Sequence, residues 1–132
     1  MGPVTKVVID TNIFVSGFGW NGKPEEVLKL IKDSQIVNYS SAEIFEEIRR
    51  IVSYPKLRFQ EPLQIKILDF VEPQKRIFTV TEDPDDNKFL ECAIEAKVDY
   101  IISGDPHLLD MKKSKTVKIV TPREFLDIIS KK

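Results

Sequence analysis

Short runs of β-branched and aliphatic residues alternate along this chain with stretches whose apolar positions recur at helical spacing. Lys6-Val7-Val8-Ile9, Ile36-Val37-Asn38-Tyr39, Arg76 to Val80, Tyr100-Ile101-Ile102 and Val117 to Val120 read as five short, buried strands. Pro24-Glu25-Glu26 opens a helix to about Asp33, with proline in a first-turn position where its missing N–H is no loss. Ser40 and Glu43 stand at capping-box spacing and start a helix that Tyr54-Pro55 ends. A weaker helix spans about Pro62 to Val71, and Asp85 or Asp86 begins another that carries Phe89, Leu90, Ala93 and Ile94. Thr121-Pro122-Arg123-Glu124 is a second capping box, launching a last helix from Glu124 to Ile129. Strand and helix in alternation predict an α/β fold, a three-layer sandwich around a central, mainly parallel five-stranded sheet.

Composition narrows the class. With 132 residues, 42% hydrophobic and 31% charged, the chain is expected to form one globular domain over 1–132. Its 20 basic and 21 acidic side chains leave a net charge of -1, so no global field draws it onto nucleic acid and any such contact must be local. The single cysteine, Cys92, cannot form an internal disulfide and lies in an apolar helical stretch. No segment approaches the roughly 20 apolar residues that span a bilayer, and no secretory signal is evident, so a cytoplasmic protein without membrane contact is expected.

Among so many acids, position must discriminate. Asp10 directly follows the first strand, and Asp105 follows the fourth within Ser103-Gly104-Asp105-Pro106; carboxyl ends of parallel strands open onto the ligand crevice of such sheets. In the helix bearing Ile44, Phe45, Ile48, Ile51 and Val52, Glu47 lies about 100° from the centre of the apolar stripe, against about 140° for Glu43 and 160° for Glu46. Glu47 should therefore border the core while Glu46 faces water. Projected back from Phe89, Asp86 falls near the middle of its stripe, where it is either a cap or a ligand. Like charges about 4 Å apart repel by about 4 kcal/mol at an effective dielectric near 20, so a cluster of Asp10, Glu47, Asp86 and Asp105 needs a cation or a proton. With one histidine, His107, and one thiol, oxygen donors point to Mg²⁺ or Mn²⁺ rather than zinc.

VVIDTNIFVSG, SSAEIFEEIRRIVSYPKLR, DPDDNKFLECAIEAKVDYIISGDPHLL and TPREFL together resemble the PIN-domain nucleases, in particular a prokaryotic VapC-like subgroup described as toxins of toxin–antitoxin pairs; the likeness covers about 6–129. The resemblance implies strand order 3-2-1-4-5, one or two Mg²⁺ or Mn²⁺ ions held by Asp10, Glu47, Asp86 and Asp105, and Thr11, Asn12 and Ser103 orienting those groups. It further implies cleavage of single-stranded RNA, an antitoxin partner and a homodimer. His107 stands near a place where some relatives carry another acid. Arg49, Arg50, Lys56 and Arg58, with Tyr54 and Phe59 interleaved, form a basic stretch suited to nucleic acid, as do Lys112, Lys113 and Lys115; a solvated surface explains both equally well. Arg49, Lys56, Arg58 and His107 are the substrate-binding candidates, and Trp20 lies in the loop after the first strand. The rival reading is a non-catalytic module of the same fold that binds RNA or protein, its acids serving as caps and turn formers. A receiver-like signalling domain would want adjacent acids after the first strand and a lysine after the last, and the chain has neither.

Overall fold

Parallel pairing dominates the sheet in the computed structural model, which describes residues 4–19, 22–55, 59–71, 75–77, 88–114 and 116–131. The strands are β1 (Thr5–Ile9), β2 (Ile36–Ser41), β3 (Lys75–Ile77), β4 (Tyr100–Ile102), β5 (Lys113–Ser114) and β6 (Val117–Val120), in the order β3-β2-β1-β4-β6-β5. The helices are α1 (Thr11–Gly19), α2 (Lys23–Lys32), α3 (Ala42–Val52), α4 (Glu61–Val71), α5 (Lys88–Ala96), α6 (Pro106–Met111) and α7 (Pro122–Ser130). Every pair is parallel except β5 with β6. Five strands in the order 3-2-1-4-5 is therefore corrected to six among the described residues: Lys113–Ser114, too short to leave a pattern in sequence, adds an antiparallel edge to β6. Residues 78–80 of the expected third strand lie outside the described residues.

Both faces of the sheet are covered. Successive strand residues point to opposite faces, yet Val7, Val8 and Ile9 are all fully buried, as are Ile101 and Ile102. Helix α5 lies across β1, β2, β3 and β4, while α2 packs against β2 and against α7, which reaches β6. Tyr100 and Phe125 meet edge to face, their centroids 5.6 Å apart, fastening α7 to β4. The last capping box forms as read: the Thr121 hydroxyl accepts from the Glu124 amide and the Glu124 carboxylate accepts from the Thr121 amide.

Helix α1 is not in the expected pattern, and its burial explains why. Ile13, Phe14 and Val15 are consecutive and all buried, so the helix is apolar on more than one side and shows no stripe. It abuts α2 closely enough that a methyl group on Gly17 would collide with the Leu28 side chain. Gly17→Ala should consequently destabilise by about 1–3 kcal/mol through overpacking, where an exposed helical glycine would gain from the change; a denaturant midpoint checks it. The expected cap of α3 also moves by one residue. Ser41, at the end of a longer β2, accepts from the Ile44 amide, whereas the Ser40 hydroxyl turns to the Ser41 carbonyl.

Candidate metal centre

Asp10 and Ser103 are side by side because β1 and β4 are neighbours in register, Ile9 against Ile102. The ladder continues one residue past each strand, with the Asp10 amide donating to the Ile102 carbonyl and the Ser103 amide to that of Val120. This fixes two buried polar side chains at the carboxyl edge of the sheet. The Ser103 hydroxyl, wholly inaccessible, donates to Asp10 Oδ2 at 2.7 Å and accepts from the Asp105 amide at 2.9 Å. One serine thus ties Asp10 to the turn that carries Asp105. The Asn12 amide donates to Asp10 Oδ1 at 3.3 Å, so both carboxylate oxygens are aimed.

Glu47 arrives from the other neighbour of β1. Helix α3 follows β2 and packs against α1, where the buried Thr11 hydroxyl donates to Glu47 Oε2 at 2.9 Å. Helical phase placed these acids correctly: the Glu47 side chain is 20% exposed and that of Glu46 60%. Burial is the main force raising the Asp10 carboxyl above its ordinary value, opposed by the Ser103 and Asn12 hydrogen bonds and reinforced by the charges of Glu47 and Asp105. Those last two influences put Glu47 and Asp105 each within electrostatic reach of Asp10. Asp86 lies outside the described residues. Among those described, no group of three or more His, Cys, Asp or Glu side chains is arranged to hold a metal ion.

The chain matches the PIN-domain family over residues 6–107, which includes Asp10, Glu47 and Asp105. The chain belongs to the PIN-domain family. PIN domains are generally metal-dependent nucleases, which indicates a nuclease-like or nucleic-acid-related function. Over 96% of its length it is also similar, at 37% identity, to the uncharacterized protein MJ1680 of Methanocaldococcus jannaschii, covering 92% of that protein. An α/β fold with a parallel sheet agrees with membership. No helix among the described residues is long and apolar enough to cross a membrane.

The remaining expected positions of this PIN domain divide. His107 lies on α6, is exposed, and donates its amide to Asp105 Oδ1 at 2.9 Å, so its backbone has a part in the site. His107→Ala should alter metal binding less than about threefold, since that amide survives the substitution; calorimetric titration of Mn²⁺ checks it. Arg49 is occupied on the surface, its guanidinium 2.8 Å from Glu46. Lys112 and Lys113 are exposed near the edge strand β5. Trp20, Lys56, Arg58 and Lys115 lie outside the described residues. Lys88 was not singled out in sequence, yet its Nζ is 3.5 Å from Glu47 Oε2. Its only signal was a basic residue at the start of a helix, two positions after Asp86.

Proposed function

We propose that this PIN domain is an endoribonuclease that hydrolyses phosphodiester bonds of single-stranded RNA with Mg²⁺ or Mn²⁺, one or two ions being held by Asp10, Glu47, Asp86 and Asp105. The observation that carries the reading is the pair of hydroxyl links, Ser103 to Asp10 and Thr11 to Glu47, which aim carboxylates from separate elements at one edge of the sheet. The donor set suits a hard cation. It offers carboxylate oxygens, while Cys92 is fully buried with its thiol pushed up to about 12 by burial, which removes the one thiolate that zinc would want.

When bound, the ion supplies charge neutralisation at the phosphodiester and makes a water more acidic. The protein's own residues orient and exclude. Ser103 and the Asn12 amide hold the Asp10 oxygens, Thr11 holds Glu47, and the Asp105 backbone rests on Ser103. Ser103 and Thr11 are buried and donate their hydroxyl protons to carboxylates, and Cys92 is inaccessible, so none serves as nucleophile. Water is left to attack phosphorus while the bond to the leaving ribose oxygen breaks. Incubation of labelled single-stranded RNA and DNA with protein and Mn²⁺, against EDTA and Asp10→Asn controls, tests this: cleavage of RNA only in the unmodified, ion-containing reaction is expected.

The reading extends to the toxin of a VapC-like pair, acting as a homodimer under a small antitoxin. Growth arrest on expression, relieved by the product of an adjacent gene, is the corresponding result. A non-catalytic module that binds RNA or protein is the second reading, favoured by the cap that Asp105 provides to α6 through the His107 amide. It predicts RNA binding that ignores EDTA and no cleavage.

A further inference from the structure

Between α3 and α5 runs a cleft of about 340 Å³ lined by Ala42, Glu43, Glu46, Glu47, Arg50 and Lys88. It opens directly from the candidate metal centre because Glu47 belongs to both. Lys88 forms one wall, with Nζ 3.5 Å from Glu47 Oε2 and 5.5 Å from the centre of the Phe89 ring, and its side chain is 32% exposed. Arg50 follows Glu47 by three residues, one helical turn along the same ridge. Unlike Arg49, it makes no ion pair among the described residues.

Resting on the nuclease reading above, we propose that this cleft is the path by which the nucleic acid strand leaves the site, and that Lys88 and Arg50 bind successive phosphates along it. Charge explains the arrangement. The Oε2 atom that Lys88 approaches also accepts from Thr11, so an ion on Glu47 competes with the ammonium for the same carboxylate. Once a divalent cation neutralises Glu47, the ammonium lacks a counter-charge at the mouth of the cleft, and a phosphate supplies it. Glu46 is answered by Arg49. Without an ion, Asp10, Glu43, Glu47 and Asp105 outnumber Lys88 and Arg50 and repel a polyanion. Strand binding must therefore depend on the divalent ion, and Lys88 is a substrate-contacting residue that the metal releases.

The test is binding of a fluorescein-labelled single-stranded RNA 12-mer by stopped-flow anisotropy in the first seconds after mixing, with Mn²⁺, across a series of salt concentrations. Lys88→Met keeps the apolar stem over Phe89, Lys88→Arg restores the charge, and Arg50→Ala removes the second contact. Lys88→Met and Arg50→Ala should each weaken binding roughly tenfold and lower the slope of log affinity against log salt by about 0.7, the value for one single-strand phosphate contact. Lys88→Arg should restore both. The rise in melting temperature with Mn²⁺ should persist in Lys88→Met, since a competitor for Glu47 has been removed. Loss of that metal response with an unchanged salt slope would make Lys88 a structural partner of Glu47 and overturn the inference. If the unmodified protein binds no RNA, the nuclease reading fails and this one with it; if it binds and both substitutions leave affinity and slope intact, only this inference fails.

Discussion

Asp10→Asn should melt at a higher temperature than the unmodified protein when both are metal-free, and should lose the further rise that Mn²⁺ gives. Asp10 is 5% exposed and carries no basic partner among the described residues, and its carboxyl is raised above its ordinary value first by burial and then by Glu47 and Asp105. A carboxyl raised on folding is easiest to bury when protonated. Its favourable contribution is complete below the unfolded value and is lost as pH climbs through the folded one. Above the unfolded value the carboxyl is thus a cost that the amide lacks. A gain of about 1 kcal/mol corresponds to roughly 4 °C in a domain of this size. That gain should vanish near pH 3, where both side chains are neutral. An ion that binds only the folded protein stabilises by mass action, and the amide removes a ligand charge, so Mn²⁺ should then move the melting point little. RNA cleavage should fall by more than the 10–100-fold typical when an outer partner of a metal ligand is lost. Scans at pH 3 and 7, with and without Mn²⁺, read the whole pattern.

Ser103→Ala should have the opposite effect on stability and the same effect on metal. Its hydroxyl is wholly buried between the Asp10 carboxylate and the Asp105 amide. Removal strips a donor from a buried carboxylate and an acceptor from a backbone N–H, a loss of about 1–3 kcal/mol for the metal-free fold. Mn²⁺ affinity should weaken about 10–100-fold, because both acids lose the group that aims them. The divergence between the two substitutions is diagnostic: an Asp10 that serves as a metal ligand should strain the metal-free protein, whereas Ser103 should relieve that strain. Calorimetric titration of Mn²⁺ together with melting curves separates the roles, and equal stability changes of one sign would merge them.

Local chemistry made part of this fold legible. The β4 and β6 segments are mostly buried runs, broken by a partly buried Tyr100 and an exposed Lys118, and they form over the residues read from sequence. Glu47 was distinguishable from Glu46 because five apolar positions, Ile44, Phe45, Ile48, Ile51 and Val52, fixed the phase of α3. Helix α1 was not legible, since burial of Ile13, Phe14 and Val15 erases the periodicity on which such a reading depends. Helix α6 carried its signal in Asp105-Pro106, a cap followed by a first-turn proline, but six residues are too few to show a stripe. The proximity of Asp10 to Asp105 required knowing that β1 and β4 pair, a fact of topology that no local pattern contains. Lys88 illustrates the same limit from the other side, because its approach to Glu47 depends on how α5 crosses the sheet beside α3.

Anomalous diffraction at the manganese edge, from crystals grown with Mn²⁺, addresses the metal centre most directly. A peak among the carboxylates of Asp10, Glu47 and Asp105 is expected, and it should disappear in Asp10→Asn. A peak elsewhere on the molecule, or none at this edge of the sheet at millimolar Mn²⁺, would contradict that expectation.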